Sequence, residues 1–293
     1  MRRPSFPAAA PVALLAALAC VACDAGTKPT TSGGPGPLLR IAAPRMDATF
    51  PMGRKIEKQP TKDKDGNDVK DKDGQVVTKD VEVDAPPQVE VLFDLMNYPI
   101  GKVADGGNGQ HIHLIVDNEP YLAVYDATQS VVLDAKYLTK GTHVLRAFPS
   151  AGPGDANGAF EHESRKNAGA FAWVKFHVGS PGGDLATDLD PTKPMLTYSR
   201  PKGEYVVGTA NQKSLMVDWY QTNVTLEKGG VHVTAWLDGT KLGDFVEWKP
   251  FVLPTAPGAG EHVVKLQLLD RDDHLVPGPF NSTERKFTVV EKK

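Results

Sequence analysis

The chain has 293 residues and only two cysteines, Cys20 and Cys23, both within its first 23 residues. The body beyond them therefore has no disulfide framework and no thiol chemistry. Charge of one sign is also scarce. Lys and Arg number 33 against 36 Asp and Glu, and leaving out Arg2 and Arg3 makes this 31 against 36. That mild acidity argues against nucleic acid as a partner. The apolar run over 8–22 is too short to span a bilayer as a mature helix. Helical periodicity is almost missing from the body. So are the signatures G-x-S-x-G and H-E-x-x-H, the phosphate-binding loop and the dinucleotide fingerprint. "GGNG" at 106–109 precedes a strand pattern rather than a helix, so it does not cradle phosphate in the usual way. With no nucleophile, base and acid in arrangement, the expectation is a protein that is not an enzyme.

The leader begins with a basic pair, Arg2 and Arg3, followed by the apolar run and then small residues up to cysteine. "ALAC" (17–20) and "CVAC" (20–23) resemble the lipobox of bacterial lipoproteins. That resemblance implies cleavage before a lipid-bearing cysteine, Cys20 or Cys23, and an extracytoplasmic chain anchored to a bacterial membrane. An ordinary secretory leader is the alternative. Residues 24–37, "DAGTKPTTSGGPGP", are small, polar and rich in Gly and Pro. They cannot bury a core and read as a flexible tether with a mean reach of about 20 Å.

The body has alternation, turn signals and 24 prolines, which point to an all-β protein. It also repeats itself. "HIHLIVDN" (111–118) aligns with "HVTAWLDG" (232–239), "KGTHVLRAF" (140–148) with "AGEHVVKLQ" (259–267), and "VLFDLM" (91–96) with "LMVDWY" (215–220). The period, near 120 residues, is too long for a solenoid and predicts two tandem modules. The first spans 38–179, with an insertion at 53–85 and a long loop at 149–170. A linker covers 180–194, and the second module spans 195–293. About seven short strands per copy suggest immunoglobulin-like sandwiches. The Gly141-Thr142-His143 and Gly260-Glu261-His262 corners resemble the Gly-x-Tyr opening of strand F in bacterial immunoglobulin-like and fibronectin-type modules, with His in place of Tyr. The resemblance implies a fold and an extracytoplasmic setting, not a chemistry.

His111 and His113 stand two apart on an expected strand. Ile112, Leu114 and Val116 face the core, so both histidines point out of the sandwich. On the neighbouring strand Leu145 and Ala147 point in, and Arg146 and Phe148 point out. The outward set reads as a solvated or inter-module face, with ligand binding by His111, His113, Arg146 and His162 as the functional reading. A metal alternative uses His111, His113, Glu161 and His162, since Zn²⁺ or Cu²⁺ accepts imidazole and carboxylate. Arg146, expected beside His113, disfavours a cation there. His143 is expected to pair with Asp117, and His262 with Asp238, as structural corners.

The repeated "KDKDG" at 62–66 and 70–74 suggests calcium, but the EF-hand spacing fails: from Asp63 the sixth position is Asp68 and the twelfth is Gly74. It reads as a solvated insertion. Asp270, Asp272, Asp273 and His274 form a second acidic loop, read as a packed turn. Trp219, Tyr220, Trp236 and Trp248 could stack on sugar rings, although strand aromatics are more often core. The reading is a membrane-anchored, extracytoplasmic binding or structural protein of the cell envelope that needs no cofactor. Its partner would be an envelope protein or a glycan. The alternatives are a periplasmic Zn²⁺- or Cu²⁺-binding protein and a pair of carbohydrate-binding modules.

Overall fold

The structure, a computed structural model, describes residues 36–101, 109–150, 170–183, 185 and 188–293. Cys20, Cys23, most of the tether, Glu161 and His162 lie outside the described residues. Residues 35–293 form one compact unit.

The first module contains β1 (Leu38–Ala43), β2 (Ala48–Phe50), β3 (Gly53–Pro60), β4 (Thr78–Ala85), β5 (Glu90–Met96), β6 (His111–Val116), β7 (Leu122–Val124), β8 (Val131–Val132), β9 (Gly141–Ser150) and β10 (Ala172–Val178). The second contains β11 (Met195–Arg200), β12 (Gly203–Val206), β13 (Met216–Thr222), β14 (His232–Leu237), β15 (Thr240–Phe245), β16 (Phe251–Val252), β17 (Gly260–Leu269) and β18 (Ser282–Val290). A three-stranded sheet β1-β5-β8 faces a five-stranded sheet β2-β10-β9-β6-β7, and β11-β13-β16 faces β12-β18-β17-β14-β15 in the same order. The chain is all-β: two tandem immunoglobulin-like sandwiches with one topology used twice.

Alternation places the cores. Ile112, Leu114, Val116, Leu145 and Ala147 meet Val91 and Phe93 inside the first sandwich. Val233, Ala235, Val264 and Leu266 meet Val217 and Trp219 inside the second. Backbone irregularities repeat too. Asn97 and Asn223, at φ 58° and 57°, follow β5 and β13 directly. This equivalence shifts the pairing of 91–96 with 215–220 by two residues. A shift of two leaves every side chain on its expected face.

Two short strands escape the sequence reading. β2 and β12 add in parallel to β10 and β18, just after Pro44 and Pro201, where the chain crosses from one sheet to the other. The 53–85 insertion is solvated, as expected, and it is also regular: β3 and β4 pair antiparallel from Gly53↔Ala85 to Pro60↔Thr78. Its aspartates serve their own turns. Asp63 Oδ1 accepts from the amides of Asp65 and Asn67, and Asp71 Oδ1 from those of Asp73 and Gln75, all at 2.9 Å. Gly66 and Gly74 supply the positive φ, 85° and 81°, that the turn requires. The acidic loop of the second module is the same device. Asp270 Oδ1 accepts from Asp272 and His274, and Asp273 takes the glycine position at φ 64°.

Candidate functional site

The two Gly-x-His corners are built alike. Each loop residue, Asp117 or Asp238, turns at φ 50°. Asp117 Oδ1 accepts from the Val144 amide at 2.7 Å, and Asp238 Oδ1 from Val263 at 2.8 Å. His143 Nδ1 donates to Asp117 Oδ2 at 2.8 Å and its Nε2 to the Thr139 carbonyl at 2.7 Å. His262 does the same to Asp238 Oδ2 and the Gly258 carbonyl, at 2.7 and 2.9 Å. Both acceptors on each ring can only accept, so each imidazole carries two N–H groups and is a cation facing a carboxylate. Burial alone would lower both imidazole pKa values. The carboxylate and carbonyl partners outweigh it and raise them.

His111 and His113 point out of their sandwich, but not into solvent. The second module covers that face, leaving them 2 % and 0 % exposed. The outer surface of β6, β9 and β10 packs on the outer surface of β11 and β13. Ile115, Tyr121 and Phe148 from one side meet Tyr220 from the other, with Phe171 and Trp248 at the margins. Tyr220 stacks at 4.6 Å on Phe148 and 5.1 Å on Phe171, centroid to centroid. Val144 packs with Met195 and Phe280 farther along. Each such side chain removed from water stabilises by about 1.5–3 kcal/mol.

The polar groups in the seam are hydrogen-bonded in several sets. His111 Nδ1 donates to the Gly109 carbonyl at 2.8 Å, a bond His232 repeats to Gly230 at 3.0 Å. With neutral rings, His111 Nε2 then accepts from His113 Nε2 at 3.0 Å, and His113 Nδ1 faces the Ser199 hydroxyl at 3.4 Å. The Tyr121 ring stacks on His113 at 3.6 Å. Two positions along a strand separate the two backbones by about 6–7 Å, while the ring nitrogens converge.

Arg146 forms the second set. It lies opposite Ile115 on β6, rather than beside His113 as expected. It is fully buried and donates to the Asp117 carbonyl at 2.5 Å, Thr197 Oγ1 at 2.8 Å and the Leu196 carbonyl at 3.2 Å. Its guanidinium sits 3.7 Å from the centre of the Phe280 ring. Burial pulls its pKa down to about 9, against the pull of Asp117. Among the described residues its Nε has no hydrogen-bond partner. From the second module Arg285 donates to the Asn118 carbonyl, and Asn118 Nδ2 donates to Thr283 Oγ1 at 3.0 Å.

Two of the four aromatics, Trp219 and Tyr220, are withdrawn from any ligand. Trp219 is 1 % exposed in the second core, its Nε1 donating to Gln221 Oε1 at 3.0 Å, and Tyr220 lies in the seam. Neither presents a face to a sugar. Asp270, Asp272 and His274 gather ligand atoms within 4.8 Å of one another, in an exposed turn whose Asp270 carboxylate already serves two amides.

Where the seam opens there is a crevice of about 250 Å³ lined by His111, Tyr121 and Tyr125 of the first module and Arg200, Lys202 and Glu204 of the second, among others. No sequence motif marks it, because its two walls come from segments about 80 residues apart.

No protein-family profile matches the chain, and no curated protein matches it significantly. Among solved structures it is similar to the fibronectin(III)-like modules of Clostridium thermocellum CbhA, at 12 % identity over 87 % of this chain and 95 % of that one, with a TM-score of 0.25. It is also similar to the central fibronectin-III array of RIM-binding protein, at 11 % identity over 70 % of this chain and 64 % of that one, with a TM-score of 0.24.

Proposed function

We propose that the chain is a non-catalytic binding or structural protein of a bacterial cell envelope, held outside the cytoplasm by a lipid on Cys20 or Cys23. The supporting observation is the seam. The side chains of the first module that looked most chemical, His113 and Arg146, are buried against the second module and join the two sandwiches into one compact unit. A compact body behind a polar tether suits holding a surface away from a membrane and presenting it to an envelope protein or glycan. Detergent partitioning of the full chain, expressed with its leader in a bacterial host, tests the anchor. Wild type is expected in the detergent phase and Cys20→Ser/Cys23→Ser in the aqueous phase. If both partition alike, the lipid reading fails.

A second reading, a Zn²⁺ or Cu²⁺ protein, draws on the 3.0 Å approach of the two Nε2 atoms. One ion could touch both, with Glu161 and His162 as further ligands.

A further inference from the structure

The crevice at the mouth of the seam shares no residue with the Asp–His corners. At about 250 Å³ it falls below the roughly 300–1,000 Å³ of pockets that take drug-sized molecules. Its occupant is therefore small. Two cationic side chains, Arg200 and Lys202, line it; among the described residues its lining holds one carboxylate, Glu204, on an exposed position of β12, and buried Asp218 stands opposite Arg200 in the β11–β13 register. The cations are held in place. Arg200 Nη2 donates to the Tyr121 hydroxyl at 2.8 Å. Lys202 Nζ donates to the Tyr121 carbonyl at 2.8 Å and lies 3.6 Å from the centre of that ring. Groups already ordered lose little side-chain freedom when a ligand arrives. Tyr125 and Asn211 add neutral donors around them, while the Ser214 hydroxyl donates to the Ala210 carbonyl at 2.8 Å.

We propose that this crevice binds a small oxyanion, a carboxylate or a phosphate, between Arg200 and Lys202 of the second module and Tyr121 and Tyr125 of the first. Guanidinium and ammonium donors beside hydroxyls and an amide make a charge-assisted set matched to carboxylate or phosphate oxygens. Both modules contribute to the wall, so an occupied crevice also tightens the seam. Burial and the neighbouring Arg200 lower the Lys202 pKa to about 8. An anion raises it again, so binding takes up a proton near that pH and weakens above it.

Calorimetry on the full chain in detergent, with inorganic phosphate and separately with succinate at matched ionic strength, is the test. The expected result is saturable one-to-one binding of at least one probe below about 20 mM, weakening above pH 8. Phosphate alone or succinate alone identifies the oxyanion. Lys202→Gln is expected to weaken binding about tenfold and remove the loss above pH 8. If that variant does not fold, Asn211→Asp, which sets a carboxylate on an exposed wall residue, decides in its place and is expected to weaken binding similarly. Absence of saturable binding by both probes, or unchanged binding in the deciding variant, overturns the proposal.

Discussion

Arg146 Nη1 donates to Thr197 Oγ1 at 2.8 Å, carrying a buried cation of the first module onto a strand of the second. Among the described residues Thr197 is the one side chain that accepts from this guanidinium; its remaining bonds are to the Asp117 and Leu196 carbonyls. Thr197→Val keeps the shape and removes the acceptor, which should lower stability by roughly 1–3 kcal/mol. Arg146→Met, which removes the charge as well, should be less damaging than Arg146→Ala, which also leaves a cavity. Urea denaturation ranks the three. An unchanged midpoint in Thr197→Val would mean the bond does not hold the seam.

The corners predict a pH profile. The pKa values of His143 and His262 are raised in the folded chain. Their contribution is therefore complete below the unfolded value of about 6.5 and is lost as pH rises through the folded values. For Asp238, burial would raise the pKa, but the bonds from His262 and the Val263 amide lower it. Its contribution is complete above about 3.9 and is lost as pH falls through the folded value. Melting temperature should therefore be highest between about pH 4 and 6.5 and decline toward pH 8. His143→Gln/His262→Gln should flatten the alkaline side. A wild-type profile level from pH 6 to 8 would contradict the imidazolium assignment.

The histidine pair separates the two functional readings. As a relay, His111 Nε2 is occupied by the His113 N–H, inside a seam that leaves both rings almost unexposed. Zn²⁺ or Cu²⁺ would have to displace that bond. The expected calorimetric result is weak binding that persists in His111→Ala/His113→Ala. Tight one-to-one binding that vanishes in the double variant, with a stabilisation of about 2.7 kcal/mol at a hundredfold excess over Kd, would favour the metal reading instead.

The strands of both sandwiches were legible because period-two alternation needs only local order. Leu145 and Ala147 against Arg146 and Phe148 read as inside and outside from the sequence alone, and the structure keeps those sides. β2 and β12 were illegible because three or four residues are too few for a period to show. In the β3–β4 hairpin, β3 was illegible because nearly all of its residues are exposed, while β4 carries only a short alternation, with Val81, Val83 and Ala85 half-buried between exposed Glu82 and Asp84.

Outside a sandwich is not the same as outside the protein. Alternation fixes which way His111, His113 and Arg146 point relative to their own core, through the geometry of a single strand. Whether solvent or another module meets them depends on Thr197, Ser199, Tyr220 and Phe280, roughly 50 to 170 residues away in the chain, and no local pattern encodes that pairing. The sequence by itself determined the duplicated topology and the Asp–His corners, since alternation marks the strands and both copies repeat the same Asp and His at the end of one strand and the start of its sheet neighbour. Only the tertiary structure decided that an outward, polar face is an interior one, because burial there comes from packing two folded surfaces together.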